Sequence, residues 1–190
     1  MPNDFDLFIR RDFDPAAERH AGFSNSLLCR AVAAYGIPRE RAEALSLLRT
    51  EKGKPFFKDS DIYFNISHSR NIWACLVGRS CCGLDIQYIR PCSYQKLAGR
   101  FFSETEQQYV SEKGIDGFFD IWVRREAYGK FTGEGFFGEC PDFIRNGKPV
   151  GELPGGVVMV PVELKTTERD IKCAVCTGGP VSVLNIREDW

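Results

Sequence analysis

The stretch Gly83-Leu84-Asp85-Ile86-Gln87 decides how this chain is to be read. Apolar and polar residues alternate along it, which is the period of a strand with two unlike faces. Leu84 and Ile86 point one way and anchor the strand in a core. Asp85 and Gln87 point the other way and face a cleft. A solvent-facing hairpin edge would show the same alternation, so the meaning of Asp85 depends on what the rest of the chain sets opposite it.

Working outward, Ile62-Tyr63-Phe64-Asn65-Ile66 reads as a strand. Ile72-Trp73-Ala74-Cys75-Leu76-Val77 reads as a second, which Gly78-Arg79-Ser80 turns into Cys82 to Gln87 as a hairpin. Before these, residues 16–35 are helical in pattern, with Ser24 or Asn25 as the cap and Gly36-Ile37-Pro38 as the stop. Another helix is expected from Arg39 to Leu48, followed by a turn at Thr50-Glu51-Lys52-Gly53-Lys54-Pro55. Beyond the central strand, Tyr94 to Phe101 is helical. The cap-plus-acid pattern Ser103-Glu104-Thr105-Glu106 starts a helix that runs to about Lys113, and residues 116–132 form the strongest helix of the chain. From Phe143 onward the chain is strand-like, punctuated by Asn146-Gly147, Pro154-Gly155-Gly156 and Gly178-Gly179-Pro180. Helices then strands, twice over, imply an α+β fold of two similar halves, residues 1–82 and 83–190, that meet near Gly83.

Composition narrows the possibilities. The 190 residues are 43% hydrophobic and 27% charged, as in an ordinary soluble globular protein. With 25 basic against 26 acidic residues the net charge is −1, which argues against nucleic-acid binding. The start, Met1-Pro2-Asn3-Asp4-Phe5-Asp6, lacks the basic-then-apolar pattern of a signal peptide. No apolar run approaches the ~20 residues that span a bilayer. A cytoplasmic protein without membrane association is expected, and its eight cysteines read as reduced thiols. Cys173 and Cys176 have half the spacing of a zinc knuckle, but residues three apart on a strand face opposite sides and no second ligand pair follows.

Trp122, Glu126 and Lys130 are spaced by four and line one side of a helix. A Glu–Lys pair of this kind is by itself an ordinary helix ion pair. The tryptophan at its head changes the reading, because it packs the helix on a core and holds Glu126 in a fixed direction. Mg2+ takes oxygen ligands, commonly one or two carboxylates plus water and substrate phosphate oxygens. Asp85 from a strand and Glu126 from a helix can supply such a half-shell, with Lys130 reaching the same phosphates as a point charge. Ser67-His68-Ser69, placed just after a strand, offers hydroxyls, an imidazole and turn amides as a phosphate cradle; a polar turn with one structural histidine is the plainer alternative. A serine-hydrolase reading fails for want of a Gly-x-Ser-x-Gly elbow, and Gly133-Glu134-Gly135 lacks the Walker lysine pattern.

Taken in order, these segments resemble the Sfp-type 4'-phosphopantetheinyl transferases. The resemblance runs from about Leu27 to Cys176. Gly53-Lys54-Pro55 matches the family's Gly-Lys-Pro turn, and Phe64-Asn65-Ile66-Ser67-His68-Ser69 its Phe-Asn-x-Ser-His-Ser. Gly83-Leu84-Asp85-Ile86-Gln87 resembles Gly-x-Asp-x-Glu. Arg100-Phe101-Phe102-Ser103-x-x-Glu106 resembles the segment after it, and Trp122-x-x-Arg125-Glu126-Ala127-x-x-Lys130 resembles Trp-x-x-Lys-Glu-Ala-x-x-Lys. The resemblance implies two α/β lobes related by pseudo-twofold symmetry, with the active site in the cleft between them. It implies transfer of the phosphopantetheine arm of coenzyme A to a serine of an apo acyl carrier protein or peptidyl carrier domain, with release of 3',5'-ADP. Asp85, Glu126 and Gln87 would then hold Mg2+, and Lys54 and Pro55 the adenine. Ser67 and His68 would hold the nucleotide phosphates, and Lys130 the pyrophosphate. Glu126 would assist removal of the serine proton and act with Lys130 in catalysis. Arg10, Arg11 and Arg19 are candidates for the 3'-phosphate, and Ser26 for an extra phosphate contact at a helix head. Two lobes in one chain build a cleft without a second subunit, so a monomer is expected.

Three departures stand out: Gln87 replaces the usual Glu, Arg125 replaces Lys, and the N-terminal segment is short. A non-catalytic coenzyme A or carrier-binding module and a metal-dependent phosphohydrolase are the competing readings. Tyr88 to Phe102, which mixes Ile89, Leu97 and Phe101 with Arg90, Lys96 and Arg100, is the candidate carrier surface, although Leu97 and Phe101 would equally suit a core.

Overall fold

The computed structural model describes residues 3–164, 170–188 and 190. Met1 and Pro2, the head of the expected N-terminal stretch, lie outside them. Strand β1 is Asn3–Arg10, followed by helix α1, Pro15–His20, and α2, Leu27–Ala34. Helix α3, Arg39–Glu43, leads into a small hairpin of β2, Leu47–Arg49, and β3, Pro55–Phe57. Strands β4, Tyr63–Ser69, β5, Ile72–Gly78, and β6, Cys82–Tyr88, come next. Helix α4 is Tyr94–Phe101 and α5 is Glu104–Thr132. A two-residue hairpin pair, β7 Ile144–Arg145 and β8 Lys148–Pro149, precedes β9, Val158–Pro161, β10, Ile171–Thr177, and β11, Val181–Glu188.

The α+β architecture expected from the sequence is present. It contains two main sheets, ordered β11-β1-β5-β4 and β6-β10-β9. Between them lies one apolar layer, to which β1 gives Phe5, Leu7 and Ile9, β5 gives Ile72, Ala74 and Leu76, β6 gives Leu84 and Ile86, and β10 gives Cys173 and Val175. The outer face of the first sheet is covered by α2 through Leu28, Ala31 and Val32. The outer face of the second is covered by α5 through Phe118, Ile121 and Ala127. Alternation therefore holds on β6 as read: Leu84 and Ile86 turn inward to the layer between the sheets.

Several readings are corrected. Strand β5 does not form a hairpin with β6. It pairs with β1 and β4, and all seven of its residues are buried. A near-continuous apolar run is what a central strand covered on both faces requires, so the tight turn belongs to β4–β5 at Arg70-Asn71, and residues 79–81 instead carry the chain across to the second sheet. The helix expected over 39–48 stops at Glu43, because Leu47–Arg49 is hydrogen-bonded to Pro55–Phe57 across the Thr50–Lys54 turn. The cap of α2 is Ser26, whose hydroxyl accepts from Cys29 N–H, and not Ser24 or Asn25. By contrast, the two helices expected over 103–113 and 116–132 are both present within Glu104–Thr132, separated at Gly114, whose φ of 65° with ψ of −146° suits a residue without Cβ. Finally, β11 lies parallel to β1 in the first sheet, so the last strand of the chain is built into the half assigned to residues 1–82.

Candidate active site

The two sheets meet where β4 runs beside β6. No backbone ladder joins them. Instead, Asn65 Oδ1 accepts from Leu84 N–H at 2.8 Å, Ser67 Oγ from Ile86 N–H at 3.3 Å, and Ser69 Oγ from Tyr88 N–H at 3.0 Å. The partners keep a constant separation of 19 residues, so the strands run in the same direction. The polar residues Asn65, Ser67 and Ser69 recur with a period of two and share one face of β4.

Asp85 sits in the middle of this seam with only 1% of its surface exposed. Its Oδ1 accepts from Ser67 Oγ at 2.6 Å and from the Lys130 ammonium at 2.7 Å. Its Oδ2 accepts from Gln87 Nε2 at 3.2 Å. Lys130 spends its other donors on Ser67 Oγ and the Leu84 carbonyl, both at 3.0 Å. A buried carboxylate is tolerable only when paired and hydrogen-bonded in this way.

The close approach of α5 to β6 is set by Gly83. A Cβ there would fall 2.0 Å from the Ala127 carbonyl oxygen and 2.6 Å from Phe131 N. Strand and helix backbones thus touch, which sets Glu126 and Lys130 beside Asp85. Burial and the neighbouring Asp85 carboxylate push the Glu126 carboxyl above its ordinary range, while Lys130 pulls it back. Helix α5 is itself firmly started, with Ser103 and Glu106 forming a reciprocal capping box. Trp122, at the head of the Glu126 face, is half-buried and lies 4.3 Å from Phe136 between ring centroids, as its expected anchoring role requires.

Beside this cluster is a cavity of about 370 Å3 lined by Lys52, Gly53, Lys54, Pro55, Asn65, Ile66, Lys130 and the Gly133-Glu134-Gly135 loop. Lys52 forms an ion pair with Glu134 across its mouth. Lys54 Nζ donates to the carbonyls of Phe131 at 3.1 Å and Cys82 at 3.4 Å. The Gly-Lys-Pro turn and Lys130 thus line a single pocket.

Ser67 and His68 are not brought together. β4 continues through Ser69, so the segment is strand and not turn, and adjacent side chains diverge. Ser67 faces the seam, where its one O–H is given to Asp85. His68 is exposed on the other face, 5.4 Å from the Phe13 ring between centroids. Arg10 lines a different cavity, of about 410 Å3, with Ser24, Arg30 and Arg39; Arg11 pairs with Glu188, and Arg19 is exposed on α1. Cys173 and Cys176 face opposite sides of β10, the first toward the inter-sheet layer and the second toward α5. All eight thiols are free.

Asp85, Glu126 and Gln87 offer oxygen atoms of the kind that Mg2+ takes. Among the described residues no cluster of three or more His, Cys, Asp or Glu gathers. The set is instead two carboxylates and the Gln87 amide oxygen. Gln87 commits its Nε2 to Asp85, which leaves Oε1 as a ligating atom. Hard oxygen donors of this number are what Mg2+ takes when water and phosphate complete its shell. What the sequence reading missed is the structural work of Asn65, Ser69 and Gly83. The period-two run of small polar residues in β4 was the available signal for the first two.

A model described as the 4'-phosphopantetheinyl transferase superfamily matches residues 81–175, half of the 190-residue chain. A 4'-phosphopantetheinyl transferase of Bacillus subtilis is 30% identical over 179 residues, covering 90% of this chain and 79% of that protein. The chain belongs to the 4'-phosphopantetheinyl transferase superfamily. Two further relatives align over shorter stretches. The 4'-phosphopantetheinyl transferase gsp of Aneurinibacillus migulanus is 35% identical over 99 residues, covering 50% of this chain and 41% of that protein. The 4'-phosphopantetheinyl transferase HetI of a Nostoc species is 38% identical over 94 residues, covering 44% and 40%. The stretch matched by the superfamily model contains Asp85, Gln87, Glu126 and Lys130, and begins after Lys54, Pro55, Ser67 and His68.

Proposed function

We propose that this chain is an Sfp-type enzyme that transfers the 4'-phosphopantetheine arm of coenzyme A to a serine of an apo acyl carrier protein or peptidyl carrier domain. The observation that carries the reading is that Lys130 pairs with the buried Asp85 at the β4–β6–α5 seam, one helical turn from Glu126, and itself lines a lysine-bearing cavity. In this reading the cavity takes the nucleotide half of coenzyme A. Lys54 and Pro55 flank the adenine, His68 is assigned the nucleotide phosphates from the opposite face of β4, and Lys130 acts on the pyrophosphate through its charge, since its three N–H donors go to Asp85, Ser67 and Leu84. Ser67 has no donor to spare for a phosphate and is assigned to hold Asp85 in place. Asp85, Glu126 and Gln87 would hold Mg2+, which when bound would neutralise charge on the pyrophosphate.

Glu126, directly or through a water, takes the proton of the attacking serine. The serine oxygen forms a bond to the phosphorus that carries the pantetheine arm. The bond from that phosphorus to the bridging oxygen breaks, and its electron pair leaves with 3',5'-ADP. The two lobes with pseudo-twofold symmetry belong to the same reading, divided near residue 83 with β11 returned to the first lobe. So do a monomeric state and a cytoplasmic location. Among the described residues no helix is long and apolar enough to cross a membrane.

The test is to incubate the protein with coenzyme A, Mg2+ and an apo carrier, and to weigh the carrier by mass spectrometry. A mass gain equal to the arm is expected. Asp85→Asn and Glu126→Gln are each expected to lower the rate about a hundredfold or more. A stable complex with no mass gain would mean a binding module. Release of 3',5'-ADP without carrier would mean a phosphohydrolase.

A further inference from the structure

Phe137 stands 81% exposed, far more than any other large hydrophobic residue among those described, the next being 44%. It lies on the loop after α5 and is not isolated. Its ring centroid is 5.4 Å from Phe136 and 5.5 Å from Phe101, and Phe101 and Phe136 are themselves 5.4 Å apart. The rim of this aromatic patch is basic. The Arg100 guanidinium lies 5.1 Å over the Phe101 ring, and the Arg125 guanidinium 5.4 Å over the Phe136 ring. Lys96 sits one turn before Arg100 on α4, and both are exposed. Of the three carboxylates on the loop itself, Glu134 is held by Lys52, and Glu139 and Asp142 lie toward its far end.

The position of the patch is as telling as its chemistry. Phe136 packs on Trp122, and Trp122 is four residues before Glu126, about 6 Å along the helix axis. The same loop presents Gly133, Glu134 and Gly135 to the cavity. One short segment thus borders the coenzyme pocket on one side and carries exposed aromatics on the other.

We propose that the Phe101–Phe136–Phe137 patch is the anchor for the acceptor protein, and that it receives a surface of that protein with apolar residues at its centre and acidic residues around them. The inference rests on the transfer reading above and deepens it. Aromatic anchors in a charged rim are the usual composition of an interface hot spot. The rim favours a negatively charged partner and disfavours a second copy of this chain, which would set Arg100 and Lys96 against their own equivalents. The carrier surface read from the sequence, Tyr88 to Phe102, supplies the basic rim and Phe101. The structure adds the two loop phenylalanines as the anchor.

The test uses a bacterial acyl carrier protein in its apo form. Phe137→Ala and Arg100→Glu alter exposed side chains, so both variants are expected to fold, and circular dichroism checks it. Each is expected to raise the KM for the carrier about tenfold while kcat and the affinity for coenzyme A, measured by calorimetry, stay within about twofold. An unchanged carrier KM overturns the anchor and leaves the transfer reading standing, as does a fall in kcat or coenzyme A affinity alone. If the unaltered protein transfers nothing, the transfer reading fails, and fluorescence anisotropy of a labelled apo carrier decides the anchor by itself. Binding weakened about tenfold by Phe137→Ala upholds it, and no binding or no weakening overturns it. A dimer of the unaltered protein that Phe137→Ala disperses, seen by sedimentation, assigns the patch to self-association and overturns it as well.

Discussion

Gln87 is one of the residues where this chain departs from the family pattern, and its contacts say what the departure does. Its amide nitrogen supports Asp85 Oδ2, a bond a carboxylate could not make. Asp85 already pushes up the Glu126 carboxyl. Gln87→Glu would add a third negative charge to that pair. In the absence of metal this variant is expected to melt a few degrees lower, because the repulsion has no partner to relieve it. If Mg2+ binds as proposed, the same charge can serve as a ligand, and calorimetry is expected to show a Kd about tenfold lower, equivalent to ~1.4 kcal/mol. An affinity for Mg2+ that falls would show that position 87 does not reach the ion. At this scale the sequence was informative about direction and silent about partners. Alternation alone tells which way Asp85 and Gln87 point. That Ser67 gives its hydroxyl to Asp85 depends on tertiary placement, because the two lie 18 residues apart and on strands that share no ladder.

Among the elements, α5 has the strongest local signals and shows where a pH dependence arises. The Glu106 carboxyl closes the capping box and also accepts from Phe143 N–H at 2.9 Å. It is buried, and that burial raises its pKa above the usual 4.5, with the two backbone N–H groups acting against the rise. The folded chain therefore keeps this proton to higher pH than the unfolded chain. Between 4.5 and the raised folded value the native state binds more protons, so this group's contribution to stability is present at low pH and is lost as pH rises. Glu106→Gln retains one acceptor for two donors and is expected to cost about 1–3 kcal/mol. Lacking the titration, the variant lacks the slope. The difference from the unaltered protein, read from urea titrations, should be largest below pH 4.5 and narrow as pH increases; a difference that widens would reverse the sign of the argument. The helices themselves were legible because caps and glycine stops are local. Strand partners were not. The β5–β6 connection looks like a hairpin turn, yet β5 is consumed on both edges by β1 and β4. The helix over 39–48 fails for a similar reason, since the apolar period continues into Leu47 and Leu48 while pairing with β3 claims them.

For the molecule as a whole, the closing strand matters most. β11 is the parallel partner of β1 over most of its length, and it holds the buried Asp6 through Arg187 Nη2 at 2.7 Å and Asn185 Nδ2 at 2.8 Å. Trp190 packs on Phe8 with ring centroids 4.9 Å apart. Ending the chain at Gly179 is expected to strip β1 of its outer neighbour and remove the Arg187 and Asn185 side chains that hold the Asp6 carboxylate, a change of several kcal/mol that is a large fraction of the margin of a domain this size. Loss of the near-ultraviolet circular dichroism signal would report it. A truncated chain that melts cooperatively near the original temperature would mean that the first sheet stands without β11. Nothing in the sequence near residue 181 announces a return to the beginning of the chain, because parallel pairing across the whole length leaves no turn signal to read.

The joint between β4 and β6 has one more implication. A backbone ladder fastens any two strands, whatever side chains they carry, and tolerates most exchanges along it. Here the fastening is one amide and two hydroxyls set at every second position. Were they replaced by apolar residues of similar size, each sheet would keep its own bonds and the greasy interior would still close, but no rule would remain for how far one sheet slides along the other. The alignment of the two sheets in this protein is thus encoded by three small polar residues, and a shift of a single position in β4 would erase all three marks at once.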